Sequence, residues 1–372
     1  MKSRRQTIWI LAMALFAVPL SIEAQSYTFV DLGDGFTATF GYAISGNQQI
    51  GIGYGPSTGN AEHGLLWSGT ATSVVDLNPS GFVSSKAFDT SGTQQVGDAF
   101  TADHSFHAML WSGTAGSAVD LNPSGFDNSA AHGICGSQQG GIGSGPATGG
   151  NYHALLWSGT AASVVDLNPS GFTSSGVEKI SATQQFGEGS GPATGNKNHA
   201  LLWSGTAASF VDLNPSGFTL STARDIFDNQ QVGFGQLTDG SIHALLWSGT
   251  AASAVDLNPA GFTTTSAQGM FGNLQVGVGS GPATGNTGHA LLWSGTAASF
   301  VDLQTFLPAN YVNSEAVGID GNGNIVGYAL NSLTGAHDAI LWVQVPEPAT
   351  WALVVVGAGV LVGSRRLLGC LR

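Results

Sequence analysis

Charge is what this 372-residue chain has least of: Asp, Glu, Lys and Arg together make up 9% of it. Basic residues are scarcest, and six of the ten sit at the ends, as Lys2, Arg4, Arg5, Arg365, Arg366 and Arg372. Residues 25–345 keep four (Lys86, Lys179, Lys197, Arg224) against 21 acidic side chains, a formal charge of −17. Nucleic-acid binding needs clustered cations that displace counterions from phosphates, so that class is excluded. Cysteine is nearly missing. With Cys370 in the tail, Cys135 has no partner inside the body, so a disulfide scaffold is ruled out and a small apolar packing role is expected. No stretch of the body holds a 3.6-residue apolar period, which removes helices as its main element. Nucleophile elbows, phosphate-cradling loops and zinc-ligand pairs are absent as well, so neither cofactor nor metal is expected.

What is present is glycine (55 residues), a hydrophobic share of 42%, and repetition. That much apolar side chain suffices for a packed core. A phrase close to His-Ala-Leu-Leu-Trp-Ser-Gly-Thr-Ala-Ala-Ser returns with its tryptophan at Trp67, Trp111, Trp157, Trp203, Trp247, Trp293 and, degraded, Trp342. Histidines precede them at His63, His107, His153, His199, His243, His289 and His337. An Asp-Leu pair returns as often, at Asp31, Asp76, Asp120, Asp166, Asp212, Asp256 and Asp302.

Each period contains four short strand candidates parted by Gly, Ser, Asn or Pro. In the fourth unit they span 177–181, 184–189, 199–203 and 209–213. Three short links and one longer crossover, Asn214 to Thr219, describe a four-stranded meander that hands over to its neighbour. Such a sheet cannot bury both faces alone, so the units must stack. The expected fold is all-β: a seven-bladed β-propeller of four-stranded blades over residues 25–345. The ends of the array supply its closure. The last unit lacks an Asp-Leu strand, while Tyr27 to Leu32 is an Asp-Leu strand without a unit, so the N-terminal strand is expected to complete the last blade beside Ala339 to Val343.

The termini read as addresses. Residues 1–24 have a basic start and an apolar run from Ile8 to Leu20, the pattern of a secretory signal peptide. Residues 346–372 begin Pro346-Glu347-Pro348, continue as an apolar stretch long enough for one membrane-spanning helix, and reach Arg365 and Arg366. This order resembles the PEP-CTERM sorting domain of Gram-negative bacteria. The resemblance implies an exosortase as partner, transient membrane insertion, and delivery to the cell surface or an extracellular polysaccharide matrix. The repeat itself resembles the extracellular HAF repeat family, with His-Ala-Leu in most copies and Ala-x-Gly-Ile at Ala131 to Ile134 and Ala316 to Ile319. That resemblance implies location and fold, not chemistry.

Residues that recur in every unit are expected to be structural. Histidine on a strand next to an Asp-bearing strand predicts one hydrogen bond per blade, either to that Asp or to a loop, with Trp filling the space between blades. A ligand site is expected where copies differ. Just before the small residue of the innermost strand stand Tyr42, Lys86, His132, Glu178, Arg224, Gln268 and Val317. The first six are chemically distinct polar side chains expected near one mouth of a central channel, suited to a sugar or peptide. The functional expectation is an exported, non-enzymatic binding or scaffold protein associated with exopolysaccharide. Its rival is a polysaccharide lyase or glycosidase at the same mouth, which would require a converging acid–base set in one blade.

Overall fold

The computed structural model describes residues 25–345. The expected signal peptide, residues 1–24, and the expected sorting segment with Pro346, Glu347, Pro348, Arg365, Arg366 and its membrane helix lie outside the described residues. Among the described residues no helix is long and apolar enough to cross a membrane; helix occurs only as 3-10 turns of three or four residues.

The chain opens with β1 (Ser26–Asp31) and then runs in meanders. The first is β2 (Ala38–Ser45), β3 (Gln48–Tyr54), β4 (His63–Trp67) and β5 (Val75–Asp76). The next is β6 (Ser84–Thr90), β7 (Gln95–Phe100), β8 (Phe106–Trp111) and β9 (Val119–Asp120). Then come β10 (Asn128–Cys135), β11 (Gln138–Ser144), β12 (His153–Trp157) and β13 (Val165–Asp166). β14 (Ser174–Ile180), β15 (Gln185–Ser190), β16 (His199–Trp203) and β17 (Val211–Asp212) follow. After them run β18 (Phe218–Phe227), β19 (Gln230–Leu237), β20 (Ile242–Trp247) and β21 (Val255–Asp256). The last are β22 (Thr264–Phe271), β23 (Leu274–Ser280), β24 (His289–Trp293), β25 (Val301–Asp302), β26 (Tyr311–Ile319), β27 (Ile325–Asn331) and β28 (Ala336–Val345).

Within each meander the strands pair antiparallel in chain order. A single parallel pairing, Ile242 with Thr264, joins the β18–β21 meander to β22–β25. Another sheet runs β1-β28-β27-β26, so β1 pairs beside the last described strand, β28. Against the expected strands of the fourth unit, the inner strand starts three residues early, at Ser174, and the outer strand shrinks to Val211 and Asp212. The crossover accounts for the early start. Ser175 Oγ donates to Asn168 Oδ1 at 2.7 Å and accepts from Ala154 N at 3.0 Å, tying the start of β14 to the crossover and to the preceding sheet. In that crossover Phe172 N closes on Pro169 O at 3.1 Å, and the tight turn needs φ of +87° at Gly171.

Side-chain alternation on the third strand decides the packing. Leu201 and Trp203 face Ala154 and Leu156 of the preceding sheet, while Ala200 and Leu202 face Leu245 and Trp247 of the following one. All seven repeat tryptophans are fully buried. The same packing joins the chain's two ends, where Leu32, Ile44, Leu65 and Trp67 share one cluster with Val326, Ala339 and Leu341. Cys135 is half-buried and packs on the cluster around Trp203, in keeping with its apolar role.

One irregularity recurs in every inner strand. Its register slips between Gly41 and Ala43, Ala87 and Asp89, Ala131 and Gly133, and Val177 and Lys179. The same slip falls between Ala223 and Asp225, Ala267 and Gly269, and Ala316 and Gly318. Each is a β-bulge, which leaves one residue unpaired and re-aims it. Opposite each bulge stands a glycine: Gly51, Gly97, Gly141, Gly187, Gly233, Gly277 or Gly327. A Cβ on Gly187 would collide with the carbonyl oxygen of Gly176, so glycine there is what permits the bulge.

Candidate functional site

The bulges converge. Tyr42, Phe88, His132, Glu178, Arg224, Gln268 and Val317, one from each inner strand, line a single cavity of about 330 Å3. Five of the six expected binding residues are therefore brought together. Lys86 is the exception. It pairs across strands with Asp98, two positions before the bulge, and its Nζ lies 3.1 Å from Glu62 Oε2. Phe88 takes its place in the cavity. The bulged residue follows an apolar or small residue (Gly41, Ala87, Ala131, Val177, Ala223, Ala267, Ala316), and counting from that side of the bulge would have found it.

The lining has two halves. Tyr42 stacks on Phe88 at 6.2 Å between ring centroids, and Phe88 meets the His132 ring edge-on at 5.3 Å. Beyond this arc lie Glu178, Lys179, Arg224 and Asp225. Lys179 Nζ reaches Asp89 Oδ1 at 2.8 Å, joining β14 to β6 past the intervening sheet. Asp89 Oδ2 accepts from Ile134 N at 2.9 Å, and Asp225 Oδ2 from Met270 N at 2.8 Å, so each carboxylate also fastens the next inner strand.

Glu178, Lys179 and Arg224 line this cavity, and the carboxyls of Asp98, Glu188 and Glu315 feel the charges of its lining residues. Their protonation follows their surroundings. Burial raises the Asp98 carboxyl to about 7 against the pull of His132 and Lys86. Burial likewise raises Asp225 to about 6, with Lys179 pulling the other way. Burial raises Glu188, and the nearby Glu178 adds to the effect. Burial raises Glu315 too, although Tyr328 Oη donates to it at 2.6 Å. Glu178 differs: burial opposes its charge, but His132, then Arg224 and Lys179, outweigh that and hold it below the ordinary range. His132 is raised because Glu178 and Asp98 outweigh its burial.

The repeated histidines stand elsewhere, on third strands. His63 Nδ1 lies 2.7 Å from Asp76 Oδ2, and the same clasp recurs from His107 to Asp120, His153 to Asp166, His199 to Asp212, His243 to Asp256 and His289 to Asp302. The other oxygen of each Asp accepts a backbone N–H two residues on, as from Asn214 to Asp212 at 2.8 Å. The structural reading of both residues holds for these six. His337 is not the seventh member. Its register places Asp338 opposite Ala329, where the other units place histidine, and the His337 ring stacks on Phe40 at 5.1 Å. In the sheet of β1 and β26–β28 the Tyr311 hydroxyl bridges Asp31 Oδ2 at 2.9 Å and Asp338 Oδ2 at 3.2 Å.

No protein-family model matches the sequence, and no curated protein matches it either. Solved structures do resemble it. Puromycin hydrolase aligns at a TM-score of 0.51 with 12% identity, over 82% of this chain and 54% of that one. The chain thus spans about half of that enzyme's length. Oligogalacturonate lyase in complex with manganese aligns at 0.51 with 8% identity, over 88% and 98%. The β-propeller domain of the Trilobed protease from Pyrococcus furiosus aligns at 0.48 with 8% identity, over 83% and 98%. At such identities the likeness concerns fold alone. Four-stranded meanders packed face to face are a propeller-type fold.

Proposed function

We propose that the protein is an exported, non-enzymatic β-propeller of seven four-stranded blades, closed by β1, that binds extracellular polysaccharide at its central cavity. On this reading residues 1–24 direct secretion, and an exosortase acts on the segment carrying Pro346, Glu347 and Pro348. Arg365 and Arg366 stay cytoplasmic while the apolar stretch is transiently in the membrane, and the body reaches the surface or matrix of a Gram-negative bacterium.

One observation carries the binding assignment. The scaffold repeats nearly verbatim, yet the seven bulged side chains that meet in the cavity are all different. A merely structural ring would repeat as the tryptophans do. The cavity suits a sugar: the aromatic arc offers a flat apolar face to ring C–H groups, and the charged half offers acceptors and donors to hydroxyls. Support for closure comes from the pairing of β1 with β28 and the cluster shared by first and last sheets.

The test is a glycan array probed with the protein and with a variant carrying Ala at Phe88, His132, Glu178 and Arg224. The expected result is binding that the variant loses. Unchanged binding in the variant discards the cavity, and turnover of a matrix polysaccharide overturns the non-enzymatic assignment.

A further inference from the structure

Two grooves lead from the central cavity, and they are the same place in two different pairs of sheets. One, of about 240 Å3, lies between β10–β13 and β14–β17 and shares His132 and Glu178 with the cavity. The other, of about 350 Å3, lies between β18–β21 and β22–β25 and shares Gln268. Equivalent positions carry opposite chemistry. Where the second groove has Val278, Ile242 and Gly288, the first has Glu188, Tyr152 and Asn198.

The carboxylates around the cavity are nearly all answered. Glu62 meets Lys86 at 3.1 Å, Asp89 meets Lys179 at 2.8 Å, and Glu315 accepts from Tyr328 at 2.6 Å. Asp225 accepts from two backbone amides, and Glu178 has His132 at 3.6 Å. Glu188 is answered only in part: Asn198, Arg224 and His132 favour its charge, but its Oε2 is shielded from solvent and accepts no hydrogen bond. Asp98, at the matching position on β7, is likewise buried with Oδ1 unpartnered. A buried oxygen without a donor is costly, so each such atom marks a place where a ligand can supply one.

Resting on the polysaccharide-binding reading above, we infer that the groove between β10–β13 and β14–β17 seats a protonated amine, so that the bound glycan carries free amino groups rather than carboxylates. An ammonium brings three donors and a positive charge, which Glu188 Oε2 lacks; a sugar hydroxyl brings one donor and no charge. Ser190 and Tyr152 line the same groove, and Tyr152 is 42% exposed, an aromatic ring of the kind that attracts a cation. The charge of the whole body favours the same sign. Four cations against 21 acids over residues 25–345 repel a uronate chain and attract a basic one. Burial and Glu178 keep the Glu188 carboxyl above its ordinary range, and a seated ammonium favours its charged form.

Calorimetry with the purified protein tests this at pH 6. The probes are a glucosamine tetramer, its N-acetylated counterpart and a galacturonic acid tetramer. The expected result is at least tenfold tighter binding of the free amine than of the acetylated form, and no uronate binding. Glu188→Gln should weaken the amine tenfold or more, Asn198→Ala should weaken it less, and Asn286→Ala in the other groove should change nothing. Equal affinity for amine and acetylated tetramers, or preference for the uronate, overturns the amine seat while leaving the polysaccharide reading intact. Failure of all three probes together with an empty glycan array sinks both.

Discussion

The outer clasps and the inner bulges are built on different strands of the same repeating meander, and they behave oppositely. Across six sheets the His–Asp clasp keeps its residues and its distance, 2.7 or 2.8 Å. Across seven inner strands the bulge keeps its backbone, and every side chain on it differs. The difference teaches where repetition stops being structural. A residue that must satisfy the same neighbours in every sheet is held constant. One re-aimed by a bulge into a shared cavity has no such neighbour and is free to specialise.

Disturbing the constant part should cost the most. Trp203→Ala empties a fully buried site between two sheets and should destabilise by about 3–5 kcal/mol in chemical denaturation. An equal loss from any other repeat tryptophan would sharpen the contrast, while a loss confined to one sheet would break it. Next is Asp98→Asn. The folded chain holds a proton on Asp98 up to about pH 7, whereas the unfolded chain gives it up near 4, so stability falls as pH rises between those values. The variant escapes that fall and should exceed the parent by roughly 2–4 kcal/mol at pH 8, with the gap closing below pH 4. Melting curves across that range check it, and a gap independent of pH would contradict the buried acid.

A smaller effect is expected at the clasps. His199→Ala should cost about 1 kcal/mol, because Asp212 is 40% exposed and water replaces the lost partner. The smallest concerns Lys86. Lys86→Ala should leave glycan affinity within about twofold of the parent, whereas Phe88→Ala should lower it clearly with little change in stability. The reverse outcome would return the site to the register expected from sequence and undo the contrast between rim and bulge.

Much of this was legible in the residues. Seven periods, four strands in each, alternating faces around tryptophan, and a stray Asp-Leu strand at the N-terminus all predicted the meanders and the pairing of β1 with β28. Five of six expected site residues line one cavity. Two positions went astray for the same reason, a shift of register. Lys86 was aligned on the alanine that follows it, but the bulge falls after that alanine, at Phe88. His337 was aligned by residue type, but pairing with β27 puts Asp338 in its place.

The sequence alone determined which residues repeat, and repetition with period-two alternation suffices to set strands, sheet faces and a core, because those depend on near neighbours along the chain. It did not determine which side chains face one another across the centre. Asp89 and Lys179, or Glu178 and His132, are separated by whole units, and a one-residue bulge decides whether each points inward. Only the stacking of sheets brings them together. Only there do burial and opposing charge split two glutamates into one that ionises easily and one that does not.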